Sequence, residues 1–262
     1  MKARQIESEL WALRFGSPGE NQLDILPKHV HGIPSKFEYH PFHHIDFKEQ
    51  AYICRQPANK LAERIPGCSS EFFMDFGFLR ASSDDYKHPT KAHNWIVLSY
   101  DGFCAYLLVV DSASRRVWAF LTASKDPPLA ILRAFMRKFS LSDGIIQTDQ
   151  GGKLARSNEF RSAMLTEFGY VVKPTGANSP SQNSGAKIYN NTLAVKVCTL
   201  LYGSGLPAKF WSAALLHAIY LHNRLVPLAT GIMPFEGWYS RKPNVAYLKT
   251  FGSQVCVKRT GT

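Results

Sequence analysis

The 262-residue chain is 45% hydrophobic and 13% aromatic, enough to bury a core, which excludes a wholly disordered polymer. It has no run near the roughly 20 apolar residues of a membrane span, no apolar signal-like stretch in its charged first fifteen residues, and five scattered cysteines that suggest no disulfide framework. The net charge of +11 is uneven, with 13 basic and 3 acidic residues in 150–262 against 18 and 17 in 1–149. These features point to a reducing intracellular compartment and a polyanion partner, nucleic acid before membrane. A basic surface kept only for solubility is the alternative.

Residues 9–15 (ELWALRF) fit one or two helical turns, and GSPGENQ at 16–22 reads as a turn. Residues 29–47 hold five of the nine histidines and look irregular, and 47–65 are helical in pattern with an interruption near Pro57. Pro66-Gly67-Cys68 marks a boundary. It separates a small irregular N-terminal segment (1–68) from a core (69–226) and a C-terminal extension (227–262).

From residue 71 strands are expected at EFFMDFGFL, NWIVLSY, CAYLLVVD and RRVWAFLT, the last two forming a hairpin. PPLAILRAFMRKF opens a helix with proline, and GIIQTD is a short strand. SNEFRSAMLTEFG is a helix with Ser157 as N-cap and Gly169 as stop, YVVKP another strand, and two long helices follow from Ala186 and Pro207. The piece 227–262 has turn-rich and strand-like character. A meander followed by helix, strand, helix, strand, helix describes an α/β protein with a mixed five-stranded sheet flanked by helices. By analogy, that order is the one found in ribonuclease H-like folds.

Strand alternation puts Phe72, Met74, Phe76 and Phe78 on one face and Phe73, Asp75 and Gly77 on the other. An ionised carboxylate there is costly unless it is paired or binds a metal. Asp149 ends a strand just before two glycines, where open α/β sheets place ligands. Taken alone, Asp75 is also read as an acid on a solvated sheet face and Asp149 as a turn former. Two carboxylates on neighbouring strands with a third from a helix would hold two Mg²⁺ about 4 Å apart.

TDQGGKLARS, SPSQNSGAKIYNNTL, LPAKFWSAALLHAIYLHNR and LKTFGSQVCVK, with VDSASRRVWAFL, resemble the integrase region of copia-type retrotransposon polyproteins across roughly 71–257. The resemblance implies a ribonuclease H-like core with an Asp, Asp, Glu triad acting with Mg²⁺ in DNA integration. Asp75 and Asp149 match the two aspartates as catalytic and metal-holding residues. DNA is the implied partner, an oligomer the implied assembly, and the nucleus the implied place of action. That the chain is a fragment of such a polyprotein is an expectation the resemblance leaves open.

Three departures stand out. Lys187 occupies the slot of the third acid, 38 positions after Asp149, with Asn190 three residues on. An ammonium has only donors and repels a dication, and Glu159 and Glu167 fall on the preceding helix. Lys153 stands where similar sequences carry a glutamate, and a cation near the site is expected to weaken metal binding further. The N-terminal segment resembles the family's pre-integrase piece. Ala12 and Ser17 fill its histidine slots, and no Cys-x-x-Cys accompanies Cys54. His29, His31, His40, His43 and His44 lack a cysteine pair at zinc spacing, so zinc is not expected.

The expectation is therefore an integrase catalytic domain that is inactive as written. The alternatives are a non-catalytic nucleic-acid-binding module and an unselected transposon relic. Trp211, Ala214, Leu215, Ala218, Ile219 and Leu221 are expected to pack in the core, as are Leu193, Val197, Leu200 and Leu201, with His217 and His222 at polar edges.

Overall fold

The computed structural model describes residues 3–37, 67–80, 96–149, 152–174, 184–226 and 231–254. Five strands form one sheet: β1 (Glu71–Gly77), β2 (Ala105–Asp111), β3 (Val117–Thr122), β4 (Gly144–Thr148) and β5 (Tyr170–Pro174). Their order is β3-β2-β1-β4-β5. β1 runs antiparallel to β2, and β2 to β3, whereas β1, β4 and β5 are parallel neighbours. This is the ribonuclease H-like arrangement expected from the element order.

The helices are α1 (Ala3–Arg14), α2 (Glu20–Ile25), α3 (Leu129–Lys138), α4 (Lys153–Arg156), α5 (Asn158–Phe168), α6 (Ser184–Ser204), α7 (Trp211–His222) and α8 (Pro234–Tyr239). Strand alternation sends Phe72, Met74, Leu107 and Val109 to one side, where they pack with Leu132 and Phe135 of α3 and Phe160 and Met164 of α5. Tyr106, Leu108 and Val110 point the other way, onto Leu193 and Val197 of α6 and Trp211 and Leu215 of α7. Covered on both faces, every residue of β2 is buried, which accounts for its unbroken apolar run. Each such large side chain withdrawn from water contributes about 1.5–3 kcal/mol.

Local signals set the helix ends. The Ser157 hydroxyl accepts from the Phe160 amide at 3.2 Å, and Gly169 takes a left-handed φ of 72°, closing α5. β3 is an edge strand, and its first backbone groups are met by Asn223 at the end of α7. The Val117 amide donates to Asn223 Oδ1 at 2.9 Å, and Asn223 Nδ2 donates to the Val117 carbonyl at 2.8 Å.

The structure departs from sequence expectation in four places. NWIVLSY forms no strand among its described residues. Ile96 makes one isolated bridge to Arg80, and the chain then turns at Ser99–Gly102 with Leu98 and Tyr100 more than half exposed. β2 already has β1 and β3 as its neighbours, so the sheet offers this segment no free edge there. α1 is longer than two turns because Trp11, Ala12 and Phe15 bury one face of it. The last three residues of GSPGENQ open α2, and α8 appears where turns and strands were expected, with Pro234 at a first-turn position.

Trp11, Phe15, Leu23, Leu26 and Val30 join the apolar cluster of α6 and α7. His29 Nδ1 lies 2.9 Å from Glu236 Oε2, and His31 bridges to Asn244, so residues 3–37 are held from the far end of the chain. The helical pattern at 47–65, with Cys54, lies outside the described residues. Among the described residues no helix is long and apolar enough to cross a membrane.

Candidate active site

Asp75 sits near the end of β1, opposite Leu108 of β2. On its other side β1 pairs with β4 in the register Glu71 with Ile145, Phe72 with Ile146 and Phe73 with Gln147. Continued by two residues, that register puts Asp75 beside Asp149, the residue after β4. Neighbouring strands lie about 4.8 Å apart, and in-register residues of parallel strands point to the same face. Parallel pairing therefore brings together two acids separated by 74 positions.

The face they share is the one α6 covers. One turn into that helix Lys187 extends its ammonium to 3.9 Å from Asp149 Oδ1, with both side chains about half exposed. One turn further, Asn190 Nδ2 donates to Asp75 Oδ2 at 3.1 Å. The backbone then turns sharply, with the Gly152 amide donating to the Asp149 carbonyl at 3.1 Å before α4 begins.

Burial raises the Asp75 pKa above the usual carboxylate range, and the Asp149 charge adds to the rise. The Phe76 backbone amide, Asn190 and Lys187 act in the opposite direction. Tyr106, fully buried beside the site, has its phenol pKa pushed up by burial first and by the Asp75 charge second. Its ring lies over Gly77, the residue it pairs with across the strands; a β-carbon at 77 would collide with it. Asn190 and Tyr106 are the neighbours whose contacts with Asp75 the sequence does not assign. A glycine two residues after the acid, opposite an aromatic on β2, was the available clue to Tyr106.

Lys153 departs from expectation. Its ammonium lies 2.6 Å from Asp126 Oδ1, in an exposed pair. Asp126 carries the neutralising charge, and among the cations Lys187 is the one that bears on Asp75. His222 is not a polar-edge residue either. It is enclosed at the end of α7, edge-on to Tyr189, and burial together with the Lys196 charge lowers its pKa to about 3.

The residues present do not fit a two-magnesium centre. Mg²⁺ takes oxygen ligands, but the third position offers an ammonium, and Asn190 turns its N–H toward Asp75 while its own oxygen is buried without a partner. Among the described residues no three His, Cys, Asp or Glu side chains come together as a metal-ligand group. His29 is taken by Glu236, and His40, His43 and His44 lie outside the described residues. Two carboxylates, one facing an ammonium and one bound by an amide, make a polar edge that is partly self-neutralised and open to solvent.

No known family profile matches the chain. It is 30% identical over 259 residues to the retrovirus-related Pol polyprotein from transposon TNT 1-94 of Nicotiana tabacum, covering 95% of this chain and 18% of that protein. It is 26% identical over 161 residues to the retrovirus-related Pol polyprotein from transposon RE2 of Arabidopsis thaliana, covering 60% and 11%. Among solved structures it resembles a chain of a simian T-cell lymphotropic virus intasome in complex with PP2A regulatory subunit B56 gamma. That likeness has a TM-score of 0.45 and 15% identity and covers 76% of this chain and 62% of that one. The HTLV-2 integrase catalytic core domain, solved in complex with magnesium in a trimeric form, gives 0.42 and 18%, covering 64% and 95%. The chain spans less than a fifth of the length of the polyproteins it matches. Over that span it is a homologue of the retrovirus-related Pol polyproteins of plant transposons, as its sequence blocks indicated.

Proposed function

We propose that this chain is the integrase catalytic domain of a retrotransposon, in a form that binds DNA but does not carry out strand transfer. The observation that carries the reading is Lys187 at 3.9 Å from Asp149, at the strand end toward which the β1–β4 register leads from Asp75. Homology to Pol polyproteins supports the ancestral task, DNA integration with Mg²⁺. The ammonium supports its loss, because it removes an oxygen ligand and changes the local charge by two units. The basic excess in 150–262 supports a retained nucleic-acid surface. Action on chromosomal DNA, as an oligomer in the nucleus, belongs to the same reading.

The test is strand transfer of a pre-cleaved duplex end, run beside binding of a labelled duplex at several salt concentrations. The chain as written is expected to give no transfer product with Mg²⁺ or Mn²⁺. It should still bind duplex without sequence preference, log K falling by about 0.9 per phosphate neutralised for each unit of log salt. Robust Mg²⁺-dependent product that Asp149→Asn abolishes would overturn the loss of activity. A flat salt response would overturn DNA binding.

A further inference from the structure

Away from the carboxylate edge, three guanidinium groups converge on one aromatic ring. The Cζ atoms of Arg116, Arg224 and Arg241 lie 5.7, 4.9 and 5.4 Å from the centroid of Phe235. The three come from separate parts of the chain: Arg116 precedes β3, Arg224 follows α7 and Arg241 follows α8. Asn223, which clamps Val117, also accepts the Phe235 amide at 2.9 Å through its carbonyl. One residue therefore assembles the cluster. Arg116 further stacks on Tyr239 at 4.4 Å and donates from Nη2 to the Tyr239 hydroxyl at 3.2 Å.

The cluster is short of negative charge. Among the described residues, none of the three arginines has a carboxylate within ion-pair reach, and the adjacent acid, Glu236, is engaged by His29 at 2.9 Å. Nε and Nη1 of Arg116 and Nε of Arg224 are buried without hydrogen-bond partners. Ring stacking favours the cations but leaves in-plane N–H groups without acceptors. Burial, and then the charge of Arg224, act against the charged form of Arg116, with the Tyr239 hydroxyl only partly compensating. Beside the cluster Arg116 lines a cleft of about 380 Å³ between β3 and α3, to which Lys138 adds a cation and whose wall, among the described residues, has no acid. Arg241 and Tyr239, both exposed, are the groups an arriving ligand meets first.

Planar N–H forks without carboxylate partners match the oxygens of a phosphate. We propose that Arg116, Arg224 and Arg241 form an anion site around Phe235 that takes a backbone phosphate of DNA at a point remote from Asp75. Val117 shares a row with Val110 and Phe73, so the cluster lies two strands from Asp75 and toward the opposite end of the sheet. That is about 10 Å across and at least about 7 Å along the strands. The DNA assignment rests on the nucleic-acid reading above, whereas the anion site itself does not.

The test has two arms. In the first, melting temperature is followed as inorganic phosphate replaces chloride at constant ionic strength. The chain as written should gain stability, and Arg241→Gln and Arg116→Lys should lose that gain. Arg241 is exposed, so its variant keeps the arm decisive even if Arg116→Lys does not fold. In the second arm, the salt slope of duplex binding should fall by about 0.9 in Arg241→Gln, the loss of one phosphate contact. No phosphate-specific stabilisation overturns the site. Stabilisation with an unchanged DNA slope overturns the DNA assignment and leaves free phosphate as the ligand. Robust strand transfer by the chain as written bears on the catalytic reading alone, because the phosphate arm reads this cluster whatever the chain's reaction.

Discussion

Lys187 and Asp149 face one another at 3.9 Å across the open end of the sheet, an ammonium where a paired-carboxylate site calls for a third anion. Both side chains are half exposed, so the contact adds only about 0–1 kcal/mol to stability. Its larger effect falls on ligands. Two unit charges 4 Å apart interact at about 4 kcal/mol for an effective dielectric of 20, and a dication doubles that repulsion.

Metal binding should therefore respond to this one side chain. Millimolar Mg²⁺ or Mn²⁺ is expected to leave the melting temperature of the chain unchanged, and Lys187→Glu should create a metal-dependent rise. Lys153→Glu should add less, because Lys153 is paired with Asp126 and is not among the charges that act on Asp75. Comparable stabilisation of the unsubstituted chain would show that Asp75 and Asp149 suffice.

Asp75 makes the fold sensitive to pH in a definite direction. Its folded pKa is raised above the ordinary aspartate value of 3.8, chiefly by burial. The folded state then holds its proton more tightly than the unfolded chain, so stability linked to this group is full below 3.8 and is lost as pH rises through the folded pKa. Asp75→Asn removes that loss. The variant should gain on the parent as pH is raised from 3.5 to 7 in urea unfolding, and a constant difference across that range would refute the assignment.

His222 acts in the opposite sense. Enclosure lowers its pKa from 6.5 to about 3, so below pH 6.5 the unfolded chain takes up a proton that the folded chain refuses. Stability from this group is full above 6.5 and falls by about 1.4 kcal/mol per pH unit below it, until the folded pKa is reached. His222→Gln should flatten the stability profile between pH 6.5 and 4.5. The ring signals of His222 should also not titrate above pH 4 in the folded protein.

Asn223 ties the edge strand to α7 with two buried hydrogen bonds to Val117, at 2.9 and 2.8 Å. Asn223→Ala leaves a backbone donor and a backbone acceptor without partners, each costing about 1–3 kcal/mol. A loss of about 2–6 kcal/mol in urea unfolding is expected. The same substitution should weaken phosphate-specific stabilisation, because it releases Val117 and with it the adjacent Arg116, while the backbone contact to Phe235 is kept.

The features legible along the chain are those that repeat locally. Alternation placed Phe72 and Met74 on one face of β1 and Asp75 on the other, because successive side chains of a strand point oppositely. Helical spacing put Leu193, Val197, Trp211 and Leu215 in the core, and Ser157 and Gly169 end α5 by chemistry within a few residues of each terminus. The two aspartates, and the lysine in the third acidic slot, were likewise legible from spacing and family pattern. Tertiary structure alone decided which of these groups meet. Only the pairing of β1 with β4 sets the register that aligns Asp75 with Asp149, and only the seating of α6 brings Asn190 to Asp75 and Lys187 to Asp149. Lys153 pairs with Asp126, His222 is enclosed, and residues 96–100 find no strand to join, all through neighbours distant in the chain. The physical reason is that side-chain direction follows from the local backbone period. Burial, ion pairing and strand partnership depend on which distant segments compete for the same surface.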